Sequence, residues 1–184
     1  MRRALAARLF LPLLAAMALA YLIAMVLTGA QPKQRQAVTF EAKGVLRLEP
    51  EGVNKIMLSR TGRQIELVRG ADGGWMLARE HKVAPTAATR LETALKMLHR
   101  SAPVREMAAE DLAGVDTQPF GLQDPTISVA LSGPAGDALT VRFGARNPDG
   151  FLQYMRIEGD ARVYLMSRFI GAEWLAAAEA VEAQ

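Results

Sequence analysis

Residues 9–32 carry no charged side chain, and Arg8 and Lys33 bracket them. In an α-helix rising ~1.5 Å per residue, the apolar part of this run, 9–27, approaches the roughly 30 Å of a bilayer's hydrocarbon core. Arg2, Arg3 and Arg8 precede it, and only Lys33 and Arg35 follow closely. The positive-inside rule then puts the start of the chain in the cytoplasm and the remainder across the membrane. The run exceeds the ~7–15 apolar residues of a cleaved signal peptide, although Thr28-Gly29-Ala30 is small enough to serve as a cleavage site. Pro12 falls near its start, where a missing amide costs least. The run therefore reads as a retained transmembrane anchor.

This divides the chain into a basic cytoplasmic tail (1–8), an anchor or uncleaved signal (9–30), a polar linker (31–37) and an exported domain (38–184). The expected location is the bacterial inner membrane, with one crossing and the domain in the periplasm. The formal net charge is +3, equal to the three arginines ahead of the run, so the exported body is formally neutral. A neutral body has no net field to steer phosphate polyanions, which argues against a nucleic-acid partner. The chain has no cysteine. That excludes lipid attachment, disulfides, thiolate metal sites and cysteine nucleophiles.

The body reads as strands, helix, connector, strands, helix. Alternation of apolar and polar residues predicts strands at 38–42, 45–48, 53–60, 64–69 and 75–77, punctuated by Thr61-Gly62 and by the glycine-rich turn 70–74. The period then becomes helical: Leu91, Leu95 and Leu98 share one side from Pro85 to His99, and Pro103 closes the segment. A short helical turn is expected within 107–112. A second meander follows at 127–131, 139–143, 151–158 and 162–166. A last helix starts near Ser167, a plausible N-cap, and carries the stripe Ile170, Trp174, Ala177 and Val181. The expectation is an α+β fold of antiparallel β-meanders with two main helices packed on the sheet, preceded by one transmembrane helix. Residues 68–77 and 157–166, each leading to a helix, loosely mirror one another and raise the possibility of an internal duplication.

Four features, in this order, resemble the domain of unknown function 4340 family. They are the Trp75 strand after the hairpin 65–69, the leucine-bearing helix 87–98, the connector Phe120-Gly121-Leu122-Gln123-Asp124-Pro125, and the strand motifs around Val141-Arg142-Phe143-Gly144, Tyr154-Met155-Arg156 and Val163-Tyr164-Leu165. The connector, with Phe120, Gly121, Leu122, Asp124 and Pro125, is the most distinctive. The resemblance implies a membrane-anchored exported domain working beside an envelope complex, with ABC transporter subunits of the gliding-motility type as possible partners. It brings no catalytic residues. This chain is short for the family pattern and carries a single copy.

No constellation announces catalysis or a cofactor. His81 and His99 lack metal-ligand spacing and are expected at the surface. No serine sits in a Gly-x-Ser-x-Gly elbow, and the glycine-rich turn lacks the Lys-Ser/Thr end of a phosphate loop. The remaining signal is a possible partner-binding set: Arg142, Arg156 and Arg162 in register on one exposed sheet face, with Tyr154 and Tyr164 beside them. Arginine's planar fork suits carboxylates, and pairing with Glu158 and Asp160 is the plainer alternative. The sequence reading is thus a non-enzymatic, membrane-anchored accessory or assembly subunit that docks to another envelope protein. The alternative is a periplasmic module holding a ligand or peptide in a cleft between sheet and helix.

Overall fold

The computed structural model describes residues 12, 14–25, 43–77 and 81–184, and the chain divides into two units, Met1–Glu41 and Ala42–Gln184. In the first unit, residues 14–25 are helical (α1), and Leu14, Met17, Leu19, Tyr21, Leu22, Ile23 and Met25 are each at least half exposed. Among the described residues, no helix is long and apolar enough to cross a membrane. Much of the expected anchor 9–30, the tail 1–8, the linker 31–37 and the strand expected at 38–42 lie outside the described residues.

The second unit is α+β, as the patterning predicts. Nine strands form one sheet: β1 (Lys55–Arg60), β2 (Arg63–Arg69), β3 (Trp75–Leu77), β4 (His81–Lys82), β5 (Arg105–Met107), β6 (Ile127–Gly133), β7 (Gly136–Arg146), β8 (Leu152–Ile157) and β9 (Val163–Ser167). Their spatial order is β4-β3-β2-β1-β6-β7-β8-β9-β5, and every neighbouring pair is antiparallel. Two helices, α2 (Pro85–Arg100) and α3 (Arg168–Glu182), pack on the sheet and on each other. They run antiparallel: the Ala84 amide at the start of α2 donates to Gln184 Oε1 beyond the end of α3, and Arg90 pairs with Glu173 at 3.2 Å.

Local chemistry explains most boundaries. Thr61 and Gly62 both take positive φ, 47° and 75°, the geometry of a two-residue hairpin whose twist matches the flanking strands. Glycine adopts this freely, whereas a β-branched threonine does so under strain. Pro85 opens α2 at its first helical position. Ser167 stands at the N-cap position of α3, but its side chain makes no capping bond there. The helix start is held instead by the Arg168 amide donating to Phe151 O at 3.2 Å.

Inward alternation builds the core. Ile56 and Leu58, Val129 and Leu131, and Val141 and Phe143 face Leu91, Leu95 and Leu98 of α2 and Ile170, Trp174 and Val181 of α3, all nearly or fully buried. Each half is a four-strand meander followed by a helix, β1–β4 with α2 and β6–β9 with α3. The halves meet along the antiparallel β1–β6 pair, so an approximate twofold axis passes through the sheet between them. The sequence mirror set β2–β3 against β8–β9, one strand out of step. The offset arises because β4, only two residues long, carries no alternation to read.

Two further expectations need correction. Residues 45–48 are not a strand. Gly44 and Leu46 donate to the carbonyls of His99 and Leu98, so this segment closes the end of α2 where four carbonyls lack helical partners. A Cβ at Gly44 would stand 2.2 Å from Leu98 O, so only glycine permits that approach. His99 is not a surface residue either. It is 6 % exposed, with Nδ1 3.1 Å from Leu46 O and Nε2 3.2 Å from a Glu49 carboxylate oxygen.

Because Thr61 holds a conformation that asparagine adopts more readily, Thr61→Asn should stabilise the domain by about 1 kcal/mol. Thermal unfolding of the full chain should show a midpoint raised by a few degrees; an unchanged or lower midpoint would remove the strain argument.

Candidate functional site

The sheet has one face covered by helices and one that is not. Chain topology decides how the second face is dressed. β5 lies at the edge beside β9, whereas β6 sits mid-sheet, so the chain from Met107 to Ile127 has to cross β9, β8 and β7. It crosses on the outer face, in irregular backbone with 3₁₀ turns at Glu110–Leu112 and Gln118–Phe120. Phe120 stacks on Tyr154, an outward residue of β8, with ring centroids 4.1 Å apart and planes 14° from parallel. Val163 and Leu165 point outward by alternation, yet are only 0 % and 9 % exposed, as a covering segment requires.

The connector works as a buckle. Gly121 has φ 64°, and a Cβ there would stand 2.9 Å from the Ala145 amide nitrogen. Opposite it, a Cβ at Gly144 would fall 2.1 Å from Phe120 O and 3.0 Å from Leu122 Cδ2. Leu122 is 6 % exposed. Phe120, Gly121 and Leu122 thus clamp the crossing segment onto β7, and Asp124 and Pro125, exposed and half-buried, lead it into β6. Trp75 is also structural. At 1 % exposure it lies under the Arg69 guanidinium at 4.3 Å, and its Nε1 donates to Glu92 Oε1 at 2.8 Å. Arg69 in turn pairs with Glu92 at 2.8 Å and donates to the carbonyls of Val53, Gly73 and Pro50.

The five partner-binding residues separate into two groups. Arg142 and Arg156 are direct cross-strand partners on the outer face, and Tyr154 shares that face. Arg162 and Tyr164 are not in register with them. Tyr164 pairs with inward Met155 and belongs to the core. Arg162 lies 5.3 Å over its ring and bonds Glu106 at 3.0 Å. One residue of alternation separates the groups, and nothing before the pairing register reveals it.

Arg162 is already paired. Its Nε and Nη2 donate to the Asp160 carboxylate, as does Tyr164 Oη at 2.6 Å. These bonds, Arg162's first, hold the Asp160 carboxyl well below the usual carboxylate range. Burial, and then the bond to Asp160, push the Tyr164 hydroxyl up to about 12. The cluster locks the β8–β9 turn and commits Nε, Nη1 and Nη2 of Arg162 to acceptors within the domain.

Arg142 and Arg156 are different. A cleft of about 410 Å³ opens between them, bounded also by Ile157, Glu158, Gly159, Asp160 and Ala161. It adjoins a groove of about 300 Å³ that shares Arg142 and Glu158 and runs past Ser59, Ser128 and Thr140 to the connector at Gln123 and Pro125. Arg142 meets Glu158 at 3.4 Å, whereas the Nε of Arg156 is closed to solvent with no acceptor. The groove hydroxyls were legible as outward polar positions of their strands. Their convergence was not, since it needs β1 beside β6. Chemically the surface offers guanidinium donors and hydroxyls, without a nucleophile paired to a base. Among the described residues, no group of three or more His, Asp or Glu could hold a metal ion.

No family model, curated protein or solved structure matches this chain.

Gly144→Ala should unlatch the connector: loss of several degrees in unfolding midpoint and new protease cuts within 108–125 are expected, whereas Gly62→Ala, with nothing within 4 Å of its Cβ position, should leave the connector resistant. For Tyr164, a raised folded pKa means the unfolded chain loses its proton first. Stability from this group is full below about pH 10 and falls through pH 12, by on the order of 2 kcal/mol. Tyr164→Phe should erase that part of the alkaline decline in urea midpoints taken from pH 8 to 12; an identical decline in the variant would contradict the assignment.

Proposed function

We propose that this chain is a non-enzymatic envelope protein, held in the bacterial inner membrane by residues 9–30, whose exported α+β domain docks to another envelope protein complex as an accessory or assembly subunit. The observation that carries the reading is the half of the outer sheet face that neither helix nor connector covers. There Met57, Val68, Met76 and Ala130 lie among Lys55, Glu66 and Arg142, at outward positions of adjacent strands. Val68 is 41 % exposed. Apolar side chains, methionine and arginine in one continuous field are the composition of a protein interface core and its rim. The sheet edges suit binding less. β4 and β5 are two and three residues long and carry His81, Lys82, Arg105 and Glu106, the short charged edges that discourage strand addition.

The anchor is supported by the uncharged run 9–32 and by the helical residues 14–25, whose apolar side chains face outward on all sides. The family resemblance, resting on the connector and on the order of four motifs, favours a partner among transporter-type membrane complexes. A second reading, a ligand-binding module, draws on a pocket of about 180 Å³ between β7, β8 and α3, lined by Arg146, Gln153, Arg168 and Gly171.

The test is a crosslinked pull-down from membranes with the full chain at native abundance. Capture of a defined membrane-protein partner, lost on Val68→Arg and Ala130→Arg together, is the expected result. A chain that returns alone would end the docking reading. Replacing 9–30 by a cleavable signal should abolish function; a soluble exported domain that did the whole job would end the anchor reading.

A further inference from the structure

The Arg142–Arg156 pair is electrostatically incomplete. The two are register partners, so their side chains leave the same face side by side, an arrangement that costs stability when the charges are alike. Glu158 reaches Arg142 at 3.4 Å with its own side chain 58 % exposed, while Arg156 has no carboxylate partner among the described residues. Asp160, the other acid in the cleft wall, is already committed to Arg162 and Tyr164. The cleft therefore holds two guanidiniums against one carboxylate, Glu158, that is not committed elsewhere.

Resting on the docking reading above, we propose that this cleft binds a carboxylate carried by an extended acidic segment of the protein partner, bridged between Arg156 and Arg142. One unpartnered guanidinium, Arg156, matches a single carboxylate. A phosphate dianion would overfill it and meet Glu158 and Asp160 in the same wall. The planar fork of arginine takes a carboxylate through two parallel bonds, which a point-charge ammonium does not reproduce. The partner is extended because the cleft opens directly into the shallow groove over β1, β6 and β7. There Ser59, Ser128 and Thr140 can exchange hydrogen bonds with a peptide backbone.

The experiment follows the arginine Nε–Hε resonances of the full chain in detergent micelles during titration. The probes are N-acetylglycine at pH 7, its neutral amide, inorganic phosphate at matched ionic strength, and the blocked peptide acetyl-Gly-Asp-Gly-Gly-amide. Expected are saturable shifts at Arg156 and Arg142 with N-acetylglycine and none with its amide. Phosphate should bind more weakly, and the blocked peptide at least tenfold more tightly than N-acetylglycine. Arg156→Lys should weaken peptide binding at least tenfold, read at Arg142, while leaving the unfolding midpoint within about two degrees. Equal shifts from the amide, or a preference for phosphate, would overturn the carboxylate assignment. Equal affinity for N-acetylglycine and the peptide would overturn the extended-segment assignment in favour of a small free carboxylate. Undiminished partner capture by Arg156→Lys would leave docking standing and overturn this cleft as its contact. A wild-type chain that binds the peptide yet returns alone from membranes would overturn docking and not the carboxylate site.

Discussion

The β1–β6 ladder holds the two halves of the domain together. Each half, a four-strand meander and a helix, has one apolar face and an open edge at its first strand. Pairing those first strands satisfies both edges and sets Ile56 opposite Leu131 and Leu58 opposite Val129, all four at most 1 % exposed. The helices then meet across the same axis, and Arg60 at the end of β1 reaches Glu179 and Glu182 of α3 to tie strand and helix across the halves. Remove that ladder and neither meander keeps a closed core, because each helix rests partly on the other half.

A second constraint comes from connectivity. After α2 the chain adds β5 at the far edge, through Val104 donating to Leu165 O, and must then return to mid-sheet. The return path occupies the outer face over β9, β8 and β7 and cannot also occupy it over β1 and β2. One face of one sheet is thereby divided into a buckled, buried half and an open half, and the Arg142–Arg156 cleft lies near their boundary. The connector residues Phe120, Gly121 and Leu122 contribute to that division. Their part is to hold the crossing segment down, through the Phe120–Tyr154 stack and the tight Gly121–Ala145 and Gly144–Phe120 approaches.

The two arginine groups show how one position of alternation separates structural from available charge. Arg162 is absorbed by Asp160, Tyr164 and Glu106, and its cluster fixes the turn between β8 and β9. Arg142 and Arg156, two strands of the same sheet on the opposite face, keep donors that the domain itself does not use up.

Local patterns were enough to read the α+β class, the hairpin at Thr61-Gly62, the proline that opens α2, and the inward stripes of both helices, because each depends on neighbours within a few residues. The polar alternation that sends Ser59, Ser128, Thr140 and Arg142 outward was readable for the same reason. Short strands without alternation, such as β4 and β5, were not, and neither was the burial of His99, which depends on Leu46 and Glu49 some fifty residues away. By itself the sequence determined the inward stripes of the two helices and of the longer strands, and that residues 9–32 carry no charge. Only the tertiary structure decided which strands are neighbours, and so which arginines share a face and where an open cleft remains. Strand pairing across distant residues is set by the global fit of apolar faces, not by any local signal.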